Sequence, residues 1–161
     1  MPKPFNVFVS YSHDDIALRK ELDKHLRTLR DAKVINIWTD SDIMPGTEWK
    51  TQILDNLNNA QIILLLVSSD FLASDFCLSV ELSAALRRHE ANTARVIPII
   101  LRPAFWEIAS FGKLQALPLS PDNRPLAVTS WLQRDDAWTK VVQGIYAIAN
   151  DLAQKEQGAN P

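Results

Sequence analysis

Apolar residues change their period along the chain in a regular way. Phe5-Asn6-Val7-Phe8-Val9 is short, β-branched and aromatic, and stops at the polar run Ser10 to Asp15. This pattern predicts a strand feeding a helix, with a capping box from Ser12 to Asp15. Leu18, Leu22, Leu26 and Leu29 then recur at helical spacing, and the stripe should end near Asp31. A second strand is predicted over Val34-Ile35-Asn36-Ile37-Trp38, followed by a turn region closing on Pro45-Gly46. A helix from about Thr47 carries Trp49, Ile53, Leu54 and Leu57 on one face.

Ile62 to Val67 is apolar without alternation, as expected of a strand covered on both faces in a parallel sheet. After Ser68-Ser69-Asp70 and an irregular stretch, Leu78, Leu82, Ala85 and Leu86 fall in helical register. A fourth strand is predicted over Arg95 to Leu101, and Pro98 places it toward the sheet edge, where a missing N–H is tolerated. Residues from Arg102 to Pro125 read as a long connection with one helical turn around Trp106. A brief fifth strand is predicted over Leu126-Ala127-Val128-Thr129. Asp135-Asp136 open the last helix, with Trp138, Val141, Val142, Ile145, Ile148, Ala149 and Leu152 toward the core.

Strands alternating with helices imply an α/β fold, a flavodoxin-like three-layer sandwich around a five-stranded, mainly parallel sheet. One domain over residues 1–153 accounts for these elements, leaving 154–161 as a polar tail or the start of a linker. Ligands of such sheets bind beyond the carboxyl ends of the strands, which selects the loops after Val9, Trp38 and Val67.

Composition removes several functions. Seventeen Lys plus Arg against 19 Asp plus Glu give a net charge of −2, so no general positive field draws in a nucleic acid. The four glycines, Gly46, Gly112, Gly144 and Gly158, are too dispersed for either G-x-G-x-x-G or a P-loop. The single cysteine, Cys77, removes any intrachain disulfide, and His13, His25 and His89 lack metal-ligand spacing. A metal-free protein of the reducing cytoplasm, with no membrane contact, is the expectation; no apolar run approaches the ~20 residues that span a bilayer.

Two chemistries fit the selected loops. A phosphoacceptor receiver domain would use acidic residues after the first strand and near the third, which Asp14, Asp15 and Asp70 partly satisfy. It also needs a late lysine, and none lies between Lys113 and Lys140. The alternative centres on Glu81, three residues after Leu78, whose carboxylate borders the apolar stripe near the strand ends. By itself Glu81 is also readable as a helix-dipole carboxylate on a solvated boundary.

Three stretches bear on that choice. Phe5 to Ser12, Ile37-Trp38-Thr39-Asp40 leading to Asp42-Ile43-Met44-Pro45-Gly46-Thr47-Glu48-Trp49, and Leu66 to Cys77 leading to Val80-Glu81-Leu82 resemble, in order and spacing, the signature boxes of a Toll/interleukin receptor (TIR) domain. The resemblance covers about residues 4 to 153 and is nearest to prokaryotic, NAD-cleaving members. It implies an NAD+ nucleosidase with Glu81 catalytic. The products would be nicotinamide and either ADP-ribose or a cyclic ADP-ribose isomer, in antiphage immune signalling. NAD+ is then a substrate, and no cofactor is implied. Nicotinamide departs neutral, so one carboxylate suffices where ordinary glycosides need two.

The resemblance further implies substrate-binding roles for Ser10, Tyr11, Trp38, Asp40, Ile43, Pro45, Gly46, Trp49, Phe76 and Cys77. Ser10 to Asp15 also reads as plain helix capping, Trp49 also begins an apolar helical stripe, and Cys77 is also a small buried apolar residue. Phe76 stands where many active relatives carry tryptophan, keeping an aromatic face without the indole donor. Self-association with other TIR domains through the Thr39 to Trp49 loop, and a fused or separate sensing domain, are the implied partners. The alternative function is a non-catalytic TIR–TIR adaptor module, which has no use for a carboxylate at Glu81.

Overall fold

The computed structural model describes residues 3–38, 49–74 and 80–159. Four strands, β1 (Phe5–Ser10), β2 (Ile35–Trp38), β3 (Ile62–Val67) and β4 (Arg95–Ile100), form one sheet in the order β2-β1-β3-β4. Every pairing is parallel. The helices are α1 (Ile16–Asp31), α2 (Trp49–Asn59), the single turn α3 (Ser69–Leu72), α4 (Val80–Glu90) and α5 (Arg134–Ala159). α5 therefore continues through the polar stretch after Ala153.

The connection from β1 runs to one side and that from β3 to the other, so right-handed crossovers put helices on both faces. α1 and α5 cover one core, in which Leu22 and Leu26 meet Val7, Ile35, Leu64 and Trp138. α2 and α4 cover the other, in which Leu57, Leu82 and Ala85 meet Phe8, Ile63 and Leu65. All six β3 residues are fully buried, as their unbroken apolar run predicts. Each contributes about 2 kcal/mol of apolar transfer. Across the first core, Glu21 on α1 accepts from Trp138 Nε1 at 3.0 Å and from Arg134 at 2.8 Å, which fixes α5 against α1.

A chain poor in glycine still has to leave its helices. Lys33 and Asn92 take left-handed conformations with φ of 60° in both cases. Val34 N–H then reaches back to Leu29 O, and Thr93 N–H to Arg88 O, both at 2.9 Å. These are Schellman-type ends built without glycine.

The fifth strand expected over Leu126–Thr129 does not form. Val128–Ser130 is a 3-10 turn, and the outer edge of β4 is met instead by Leu117. Leu117 donates to Pro98 O at 2.9 Å and accepts from Ile100 N–H at 2.8 Å. Pro118 has no N–H with which to extend this ladder. Leu117 lies against α5 where Gly144 makes room: a Cβ there would come within 2.7 Å of Leu117 Cδ1. Pro98 fits the edge as expected, because Arg95 and Leu101 direct their N–H groups to the β3 side while Val96 and Ile100 direct theirs outward. By that alternation the absent proline N–H falls on the outer side. The helical turn expected near Trp106 is a succession of single turns, with Ala109 N–H on Trp106 O and Gly112 N–H on Ala109 O.

Below Leu117 the strand edge is closed by His89, whose Nδ1 accepts Val96 N–H at 3.0 Å. That bond requires neutral imidazole at Nδ1. Burial, followed by the charge of Arg95, lowers the His89 pKa from its ordinary 6.5, with Glu90 opposing. The stability contributed by neutral His89 is complete above the unfolded-chain value near 6.5 and is lost as pH falls through it toward the lower folded-state value. Thermal melts from pH 8 to 5 should show this decline in the wild type and a flatter profile in His89→Gln, which keeps an acceptor but cannot take a proton. Equal profiles for the two proteins would refute the assignment.

Candidate functional site

The reversal of connection direction between β1 and β3 opens a crevice beyond their carboxyl ends, where sheets of this kind bind ligands. Ser10, buried, and Tyr11, half-buried, leave β1 at this point. The Arg19 guanidinium lies 5.0 Å from the centre of the Tyr11 ring, and its Nε donates to Asp23 at 2.8 Å. At the end of β2, Trp38 stacks on Phe8, with ring centres 5.7 Å apart and planes 8° from parallel. Phe8 and Trp38 are register partners, so their side chains share one sheet face.

Beside them is a polar cluster that local sequence reasoning misses. Ser12 accepts from Asp14 N–H as an N-cap, but Asp15 does not return to Ser12 as a capping box would require. Asp15 is 3% exposed and its carboxylate turns inward: Oδ2 accepts from Ser68 Oγ, and Oδ1 accepts from Arg102 Nε at 2.9 Å. Ser68, fully buried at the end of β3, also caps α3 by accepting Phe71 N–H at 3.1 Å. Arg102, just past β4, donates through Nη2 to Asp70 at 2.6 Å. Hydrogen bonding to Asp15 and then to Asp70 raises the Arg102 pKa, so the guanidinium is a permanent cation. Ser68 and Asp70 lie in a loop selected from the sequence, but the bonds that join them with Asp15 and Arg102 span 32 to 87 residues of chain. No local period signals such a pairing.

Glu81 is the second residue of α4. At the other end of that helix, His89 meets Val96 at the start of β4, so α4 runs back along the sheet. Its eleven residues rise about 16 Å, which brings its first turn toward the carboxyl edge. Trp49 heads α2. Asp40, Ile43, Pro45, Gly46, Phe76 and Cys77, and most of the Thr39 to Trp49 loop, lie outside the described residues. The structure thus brings Ser10, Tyr11 and Trp38 to one edge of the sheet, with the first turn of α4 toward the same side.

Among the described residues no group of His, Cys, Asp or Glu is arranged to hold a metal ion. No helix among them is long and apolar enough to cross a membrane.

A family profile described as the TIR domain matches residues 7–138. An uncharacterized protein of Sinorhizobium fredii, y4lF, is 44% identical over 149 residues, which cover 92% of this chain and 45% of that protein. The chain therefore spans less than half the length of this relative. Among solved structures, the TIR domain of the Toll-related receptor TRR-2 from Hydra magnipapillata matches with a TM-score of 0.53. The match covers 88% of this chain and 98% of that one at 19% identity, a likeness of fold alone.

The cluster at the strand ends sets a stability prediction. Arg102→Ala leaves a buried carboxylate short of its cation and should cost about 3 kcal/mol. Asp70→Asn alters a half-exposed pair and should cost under about 1 kcal/mol. Urea denaturation of both variants checks the order, and an equal loss for the two would overturn the central place given to Asp15.

Proposed function

Because this chain belongs to the TIR-domain family, we propose that it cleaves NAD+ at the nicotinamide–ribose bond. The observation that carries the proposal is the position of Glu81. It stands in the first turn of α4, a helix that starts toward the carboxyl edge of the sheet, and sheets of this kind bind ligands beyond that edge. The resemblance puts the family's catalytic glutamate at this same residue.

The chemistry asks little of the protein. The bond between ribose C1′ and the pyridinium nitrogen breaks with its electron pair passing to that nitrogen, so neutral nicotinamide leaves without a general acid. Positive charge grows on the ribose ring. A carboxylate in a partly dry crevice stabilises that charge more than water does. Glu81 supplies it and holds the ribose hydroxyls. Water then adds to C1′, its proton passing to solvent, to give ADP-ribose; attack by an adenine nitrogen gives a cyclic isomer instead. Ser10 and Tyr11 form the floor of the crevice, Trp38 and Phe76 offer aromatic faces, and the Thr39 to Trp49 loop, from Ile43 onward, covers substrate or meets a second TIR domain. The setting we propose is cytoplasmic antiphage signalling that depends on self-association.

Concentrated protein incubated with NAD+ should release nicotinamide, and Glu81→Ala and Glu81→Gln should lower the rate by about a hundredfold or more. Chromatography of the products separates ADP-ribose from its cyclic isomers. Wild-type protein that self-associates without consuming NAD+, or undiminished release from the variants, would reject the enzymatic reading in favour of an adaptor.

A further inference from the structure

The face of the sheet beneath α2 breaks a rule of the fold. Sheets covered by helices carry apolar residues on both faces, and Phe8 and Trp38 obey this on the α2 side. Two residues earlier on the same strands, and hence on the same face, stand Asn6 and Asn36, which are register partners. Asparagine is disfavoured in strands, and here two lie side by side. They border a hollow of about 510 Å³ together with Asn56, Asn59 and Gln61 around the end of α2, and Trp38 forms part of its wall. The volume is within the range of small-molecule sites. Among the described residues, all polar side chains in this lining are carboxamides and none is charged.

Part of the lining is held in place by the backbone. Gln61 Oε1 accepts Asn6 N–H at 2.7 Å, while its Nε2 donates to Asn59 O at 3.3 Å. Asn56 Nδ2 donates to Gln52 O at 2.8 Å. Among the described residues, the side-chain amides of Asn36 and Asn59 make no hydrogen bond to protein and are exposed. The hollow therefore combines an ordered frame, unused donor and acceptor pairs, an aromatic wall and, among its described residues, no charge.

We propose that this hollow binds an uncharged purine base, presented as a nucleoside. A carboxamide sets one donor beside one acceptor, which matches the N6–H and N7 edge of adenine in a two-point contact. The indole of Trp38, ordered by its stack on Phe8, offers apolar ring contact. A phosphate or carboxylate would find no counter-charge here, and an aliphatic ligand would strand the amides without partners.

Adenosine is the probe, because it lacks the nicotinamide bond and reports on this site whatever the outcome for NAD+ cleavage. Titrated into the full chain and followed by amide NMR, it should saturably shift the side-chain signals of Asn36 and Asn59, which the proposed NAD+ crevice does not use. Asn36→Leu and Asn59→Leu, both at exposed positions, should each weaken binding roughly tenfold while leaving the remaining spectrum folded. Methyl glucoside, a neutral ligand without a base edge, should leave these signals in place. The proposal fails if adenosine gives no saturable shift, if the glucoside shifts the same signals equally, or if both variants bind as wild type does.

Discussion

A buried carboxylate with two specific partners holds the carboxyl edge of the sheet together. Asp15 stands at the entry to α1, Ser68 at the exit of β3 and Arg102 just past β4, and the first accepts hydrogen bonds from the other two. Removing a carboxylate from water costs several kcal/mol, and attraction to a cation recovers this only when the oxygens are also hydrogen-bonded. Here both oxygens are. The geometry that satisfies Asp15 fixes how far apart the three chain segments stand. Arg102 extends the constraint to α3 through Asp70, and α3 directly precedes the stretch that leads to α4. The crevice at the β1/β3 reversal is thus bordered by a cross-linked edge, and the lateral position of the segments that leave β1, β3 and β4 depends on one guanidinium.

The opposite, outer edge of the sheet is closed by less regular means. A parallel sheet tolerates an exposed edge poorly because its strands present unpaired backbone groups. β4 is covered by a single residue, Leu117, above, and by the side chain of His89 below. Each depends on something outside the sheet. Leu117 requires Gly144 on α5, where a side chain would collide with it, and His89 requires an unprotonated ring. Pro98 suits this edge because the group it lacks is one that only a full fifth strand would have used.

The parts of the fold legible in the sequence are those fixed by short-range periodicity. The Ile62–Val67 run announces the central strand, the leucine stripe of α1 announces its buried face, and Pro98 announces an edge. What was misread depends on partners far along the chain. Leu126 to Thr129 has strand composition, but its place beside β4 is taken by Leu117, which carries no strand signal next to Pro118. Asp15 has the spacing of a capping box, yet a buried serine and an arginine many residues away compete better for its carboxylate than the local cap does. The candidate site divides the same way. The strand-end rule selects the loops that Ser10, Tyr11 and Trp38 enter, whereas the roles proposed for these three and for Glu81 rest on the family resemblance. Arg102 gave no local sign of its role, since a lone arginine before Pro103 looks like the start of any loop.

The scarcity of glycine connects these observations. Proteins that store a dinucleotide commonly cradle its phosphates with backbone N–H groups, which needs glycines at close spacing. This chain even ends α1 and α4 with Lys33 and Asn92 in the conformation that glycine usually supplies. The glycine-rich dinucleotide and P-loop cradles are therefore closed to it, which leaves helix ends and side chains as the means of recognising a nucleotide. Side chains recognise best where they are ordered in advance, as the Gln61 carboxamide is by its bonds to Asn6 N–H and Asn59 O, and the Trp38 ring by its stack on Phe8. Recognition of this sort is weaker toward phosphate and more selective toward the sugar and the base. That balance is what the proposed cleavage of NAD+ would require, because such a reaction must grip the sugar and base and still let the pieces go.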